Sequence, residues 1–172
     1  MSQVTWYLPQ DLLRTSVEIM RPHGVQGNEG LALWFGTGDD AQRVNVTHVI
    51  EVYGSGFVTA PLQMRLSLRA MATLTSLADD LNRYLVGQIH SHPGDFTDLS
   101  DVDKELGIRV PDYLSVVCPY YAQRSNTMLS DCGLHMFEGA GYRRLSSAET
   151  SRRVVQTEQR VTIVRCEVND AR

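Results

Sequence analysis

The sequence has no apolar run approaching the roughly 20 residues that a membrane-spanning helix requires, and its N-terminus shows no basic segment followed by an apolar one. No membrane association is expected, and a cytoplasmic location is. A dense Lys/Arg cluster is also missing: 16 basic residues face 20 acidic ones, for a net charge of -4. No phosphate-binding face is therefore expected, and no nucleic-acid partner. The cysteines, Cys118, Cys132 and Cys166, are odd in number and share no CxxC spacing. They are expected to be buried thiols and not disulfides or metal ligands. Repeats, low-complexity segments and long linkers are absent as well, while 42% of residues are hydrophobic, enough for one core. A single domain over residues 1–172 follows.

What is present reads as a mixture of helices and strands. Leu12, Leu13, Val17 and Met20 fall at helical spacing, with Pro9 and Asp11 near the start, predicting a helix from about Pro9 to Met20 that the Pro22-His23-Gly24 segment ends. Leu31 to Phe35 reads as a buried strand closed by a turn at Gly36-Thr37-Gly38-Asp39-Asp40. Val44, Val46, His48, Ile50 and Val52 alternate with a period near two and predict a second strand, paired with the first as a hairpin. Between Leu66 and Leu85 the apolar spacing returns to three and four, predicting a helix, and Tyr84 to Ile89 then fits a buried strand. Asp101 to Ile108 suits a turn or two of helix; Tyr113–Cys118, Gly133–Phe137 and Val161–Val168 read as strands, and the polar stretch 146–159 has no assigned place. The expected fold class is mixed α/β of the α+β kind, without a regular βαβ repeat.

The chemistry concentrates in His90-Ser91-His92-Pro93-Gly94 and the acidic segment up to Asp103. Side chains alternate along a strand, so His90 and His92 point to one face and can grip one ion. A carboxylate returning from the next helix would supply a third ligand and leave the fourth position of a tetrahedral zinc for water, as in catalytic sites. Such a metal lowers the pKa of its water towards about 7. By residue type Asp95, Asp98 and Asp101 are rivals of Asp103 as that carboxylate, though solvation of the loop is the expected role of all three. Pro93 and Gly94 suit a sharp turn off the strand. His23, His48 and His135 are expected to be ordinary hydrogen-bonded histidines, and Trp34 and Phe35 core residues.

His90-x-His92, seven residues, then Ser100-x-x-Asp103 resembles the motif of the JAMM (MPN-plus, JAB-domain) metallopeptidases, and Glu29-Gly30-Leu31-Ala32-Leu33-Trp34-Phe35-Gly36 resembles the upstream glutamate segment of that family. The resemblance spans roughly Pro9 to Leu145. It implies one MPN/JAB domain with a mixed curved sheet flanked by helices, in a cytidine-deaminase-like arrangement. It further implies Zn2+ held by His90, His92 and Asp103, Glu29 as the base that takes a proton from the zinc-bound water, and Ser100 as oxyanion donor. Amide hydrolysis needs a nucleophile, a proton carrier and oxyanion stabilisation, which these groups would supply. Glu51, on the second strand, is the rival for the base; Ser100 also suits a helix N-cap.

Within that family the usual substrate is the peptide or isopeptide bond after the C-terminal glycine of a ubiquitin-like protein. The segments Tyr53–Leu66 and Lys104–Pro111 look too short for the large insertions of linkage-specific eukaryotic relatives, so the chain is similar to compact prokaryotic, deubiquitinase-like members. The implied partners are a ubiquitin-like protein or its conjugates and the activating (E1-like) and conjugating (E2-like) enzymes of a bacterial, antiviral conjugation system. Exposed backbone near Gly54-Ser55-Gly56 is a candidate place for an extended tail to pair. Two alternatives stand beside this reading: a sulfur-carrier-protein peptidase that removes cysteine or a short tail, and a non-catalytic MPN scaffold, which retention of all five positions disfavours.

Overall fold

The computed structural model describes residues 4–39 and 42–170. Strand β1 (Thr5–Pro9) buries Trp6 and Leu8 and leaves Thr5 and Tyr7 half-buried, a period of two that sits just ahead of helix α1 (Leu12–Val25). Pro9 thus ends a strand and does not start the helix, as the sequence had suggested. Asp11 is the N-cap residue, but its side chain accepts a bond from the Val161 amide instead of capping. The helix also runs through Pro22 to Val25. A proline so near the end removes one intrahelical bond, and Gln26, Gly27 and Asn28 donate back to His23 and Gly24 to close the last turn.

Strands β2 (Leu31–Gly38) and β3 (Arg43–Tyr53) form the expected antiparallel hairpin. Gly36 and Gly38 belong to β2 and not to a turn, with a bulge between Phe35 and Gly36 where the Asn45 carbonyl occupies the space of a Gly36 side chain. The turn begins at Asp39; Asp40 lies outside the described residues. A small separate hairpin follows, β4 (Phe57–Ala60) and β5 (Gln63–Leu66), and then α2 (Leu68–Asp80), which Ser67 caps by accepting from the Ala70 amide. β6 (Tyr84–Ser91), α3 (Asp101–Leu106), β7 (Leu114–Cys118), β8 (Gly133–Phe137), β9 (Tyr142–Arg144), α4 (Ser147–Arg153), β10 (Val154–Thr157) and β11 (Thr162–Glu167) complete the order. The polar stretch 146–159 therefore holds a short helix with a Ser146/Glu149 capping box and an edge strand.

The main sheet is mixed and curved, in the order β10-β1-β3-β2-β6-β7-β8-β9, with β11 running parallel to the far half of β3. Alternation along β2 divides the core. Ala32 and Trp34 face α1, together with Trp6, Val17, Met20, Val49, Ile89 and Val116. Leu31, Leu33 and Phe35 face α2, together with Ile50, Val52 and Leu74. Helices thus cover both faces of one sheet, and its central strands are buried on both sides, which is why β2 and β7 read as continuous apolar runs. Cys118, Cys132 and Cys166 are buried free thiols, and Trp34 and Phe35 are core, as expected.

Candidate metal centre

Two central strands place the site. β6 is bonded to antiparallel β2 on one side, with Leu31 opposite His90, and to parallel β7 on the other, with Val117 opposite His90. His90 and His92 emerge at its C-terminal end on one face, while Ser91 between them turns the other way and accepts from the Gly30 amide at 2.9 Å. The chain then turns at Gly94, whose φ of 58° suits a residue without a side chain. It returns into α3, where Asp103 stands in the first turn. Glu29 comes from the residue pair just before β2. Gly30 packs directly on α1, where a side chain would lie 2.8 Å from Met20 Cβ, so the glycine lets Glu29 approach the histidines.

The ligand atoms converge. His90 Nε2 lies 3.1 Å from His92 Nε2, His92 Nε2 lies 3.1 Å from Asp103 Oδ2, and His90 Nε2 lies 3.5 Å from the same oxygen. These are two imidazole nitrogens and a carboxylate oxygen, a group that can hold a metal ion. His92 Nδ1 is 3.2 Å from the Phe96 carbonyl, which only accepts, so Nδ1 carries a hydrogen and Nε2 is the atom that faces the centre. The Phe96 ring stacks on His92 at 5.7 Å and 5°. Glu29 Oε1 sits 4.0 Å from His92 Nε2, a distance beyond a hydrogen bond.

His90, His92 and Glu29 are buried, and charge in this cleft is correspondingly costly. Burial pushes the Glu29 carboxyl up to about 7, against the pull of His92 and with the help of the Asp103 charge. Burial would raise Asp103 as well, but hydrogen bonds from His90, His92 and Ser100 win, and its carboxyl stays well below the usual carboxylate range. Burial tends to lower His92, yet its bond to Asp103 and the charges of Asp103 and Glu29 leave it raised. Two neighbouring carboxyls are thus driven apart, one held ionised as a ligand should be and the other poised to exchange protons near neutrality.

Ser100 lies where the sequence places it, and its hydroxyl is in use. It donates to Asp103 Oδ2 at 2.7 Å and accepts from the Asp103 amide at 3.1 Å, while the Ser100 amide also donates to that oxygen. This is a capping box with Asp103 as its acidic member, so the N-cap role is realised. The rival residues lie elsewhere. Glu51 pairs with Arg165 at 3.0 Å, Asp101 is exposed and Asp95 lies on the exposed loop. Asp98 accepts from His135 Nε2 at 3.2 Å and from Arg144 at 2.7 Å. Asp98, His135 and Arg144 were not singled out as a group from sequence, yet they tie the loop carrying Phe96 and Ser100 to β8 and β9. Their spacing in sequence, more than 30 residues between the acid and its partners, gives no local signal.

The Gly54-Ser55-Gly56 segment does not offer a free edge. Val168 and Asn169 take its backbone: the Gly56 amide donates to the Val168 carbonyl and the Ser55 amide to Asn169. Among the described residues, β4 and β5 pair only with each other, so each keeps one edge without a strand partner, as do β9, β10 and β11 at the margins of the main sheet. Between β5 and α3 runs an apolar groove of about 290 Å³ bordered by Met64, Leu66, Val102 and Leu106, with Asp103 at its inner wall.

No family model matches the chain. It is 26% identical over 160 residues to a protein named probable metalloprotease y4jG from Sinorhizobium fredii, an alignment covering 87% of this chain and 93% of that protein. The solution structure of protein DSY2949 from Desulfitobacterium hafniense matches 90% of this chain and 94% of that one with a TM-score of 0.66 and 17% identity, a likeness of fold.

Proposed function

We propose that the chain is a zinc metallopeptidase of the JAMM kind, which hydrolyses the peptide or isopeptide bond after the C-terminal glycine of a ubiquitin-like protein. The observation that carries the reading is the convergence of His90, His92 and Asp103 on one point, with the buried carboxyl of Glu29 4.0 Å from a ligand nitrogen. The similarity to a probable metalloprotease over most of both chains supports it.

The donor set fits zinc. A tetrahedral ion with ligand bonds of about 2.0–2.1 Å separates its ligand atoms by about 3.3 Å. The observed separations of 3.1, 3.1 and 3.5 Å match that triangle before any rearrangement. With three protein ligands, zinc would keep an open position and supply Lewis acidity towards a water and a substrate carbonyl. Glu29 then accepts a proton and hands it to the departing amine nitrogen, a task suited to a carboxyl near pH 7. Phe96 orients His92 by its carbonyl. The Ser100 hydroxyl has a single proton, which it donates to Asp103 Oδ2 here; to serve a developing oxyanion, that proton would have to turn away from the carboxylate.

A glycine-ended tail suits the approach. Glycine alone adds no bulk where the chain passes Glu29 and the ligands, and the open edge of β5 can pair with an extended backbone while residues further back fill the groove beside α3. A bacterial system that attaches ubiquitin-like proteins with E1-like and E2-like enzymes, such as one used against phage, is the setting this substrate implies. The test is elemental analysis of wild type and His92→Ala, together with cleavage of a glycine-ended ubiquitin-like fusion by wild type and Glu29→Gln. About one zinc per chain, absent in His92→Ala, and zinc-loaded but inactive Glu29→Gln are expected. A wild-type protein that takes up iron in preference to zinc, or an active Glu29→Gln, would overturn the assignment.

A further inference from the structure

Tyr120, Tyr121 and Ala122 have φ angles of 55°, 52° and 57°, a left-handed turn built without glycine directly after β7. Side chains with a Cβ disfavour that region, and a run of them persists only where the surroundings impose it. Here they do. The Tyr120 amide donates to the Gly94 carbonyl at 2.7 Å and the Tyr121 amide to the His92 carbonyl at 2.8 Å. The side-chain amide of Gln123 donates to the Gly24 carbonyl, and Gly24 has no side chain because the Tyr121 carbonyl fills that space. The turn is thus bolted to the metal-ligand segment on one side and to α1 on the other.

What this strained geometry presents is the Tyr121 hydroxyl, which donates to the Pro61 carbonyl at 2.7 Å, in the tight connection between β4 and β5. The preceding carbonyl, that of Ala60, accepts from the Glu29 amide at 2.9 Å. Two successive carbonyls of the hairpin tip are therefore held, one by the backbone of the proposed base and one by a side chain anchored to a proposed ligand. The hairpin has no strand partner from the main sheet. These two bonds hold its tip, while Phe57, Met64 and Leu66 pack the rest of the hairpin against the core.

We propose that Tyr121 is a positioning residue that latches the β4–β5 tip and so sets the width of the cleft in which the substrate chain lies between β5 and α3. The inference rests on the peptidase reading. A latch of this kind acts on binding in ground state and transition state alike, so its loss raises KM and leaves kcat in place.

The test is Tyr121→Phe, which keeps the ring and the backbone turn and removes only the hydroxyl. Expected are wild-type zinc content, kcat within about twofold, KM raised roughly two- to tenfold as befits one hydrogen bond, and faster hydrogen exchange of the amides of Phe57 to Leu66. Unchanged exchange in that hairpin, or a fall in kcat at constant KM, overturns the proposal. Should wild type cleave no glycine-ended fusion, the peptidase reading fails, and the exchange measurement still decides whether the hydroxyl holds the hairpin.

Discussion

Glu29→Gln should stabilise the metal-free protein, by an amount that grows as pH rises from about 4.5 to about 7. Below pH 4.5 the carboxyl is neutral folded and unfolded, so burial costs nothing. Between 4.5 and about 7 the unfolded chain releases a proton that the folded chain keeps, and stability falls as pH rises. Above that range the buried carboxylate carries its full penalty. At about 1.4 kcal/mol for each pH unit, the difference between 4.5 and about 7 comes to about 3 kcal/mol, an upper bound because water enters the cleft. Glutamine keeps the shape and carries no charge, so the penalty vanishes. Urea unfolding of chelator-treated wild type and Glu29→Gln at pH 5 and pH 8 reads the effect directly. The two proteins should differ little at pH 5, and the variant should gain up to about 3 kcal/mol at pH 8, or several degrees in Tm for a chain of this length. A bound divalent cation favours the ionised carboxyl, so zinc should shrink the gap. A stability difference that does not change with pH would refute the claim that burial raises this carboxyl.

Gly30→Ala forces a Cβ to 2.8 Å from Met20 Cβ and should cost about 1–3 kcal/mol, with Glu29 displaced and kcat reduced more than zinc content; a variant with wild-type Tm would show that α1 yields freely. Ser100→Ala removes the cap of α3 and should lower stability by about 1 kcal/mol, and a kcat loss of about 10²-fold or more at full zinc occupancy would be the mark of an oxyanion donor. Asp98→Ala frees the loop that carries Phe96 from His135 and Arg144, and zinc affinity measured by competition with a chelator should fall about tenfold.

The parts of the site legible in the sequence are those whose geometry is local. Two histidines one residue apart on a strand share a face whatever the rest of the chain does, and Ser100 with Asp103 is a capping pattern three residues long. Glu29 carried no such signal of its own: its place depends on Gly30 against Met20 and on Gly24 against Tyr121, contacts between segments distant in sequence. β1 was hidden because Pro9 and Asp11 looked like the beginning of the following helix, although Trp6 and Leu8 alternate with Thr5 and Tyr7. β9 and β10 are short edge strands of mostly half-buried and exposed residues, which need only their neighbours' backbones and leave little apolar pattern. The left-handed turn at Tyr120–Ala122 has no glycine to announce it.

The sheet order bears on how such a protein comes apart. β6 has a bonded neighbour on each flank and a buried layer on each face, whereas β9, β10 and β11 have one neighbour each. Fraying from the margins, the lowest rung of native-state opening, leaves the ends of β2 and β6 untouched. The two histidines would therefore keep their places through such opening, and a captured ion would be released first at Asp103, which stands on the exposed helix α3 outside the sheet.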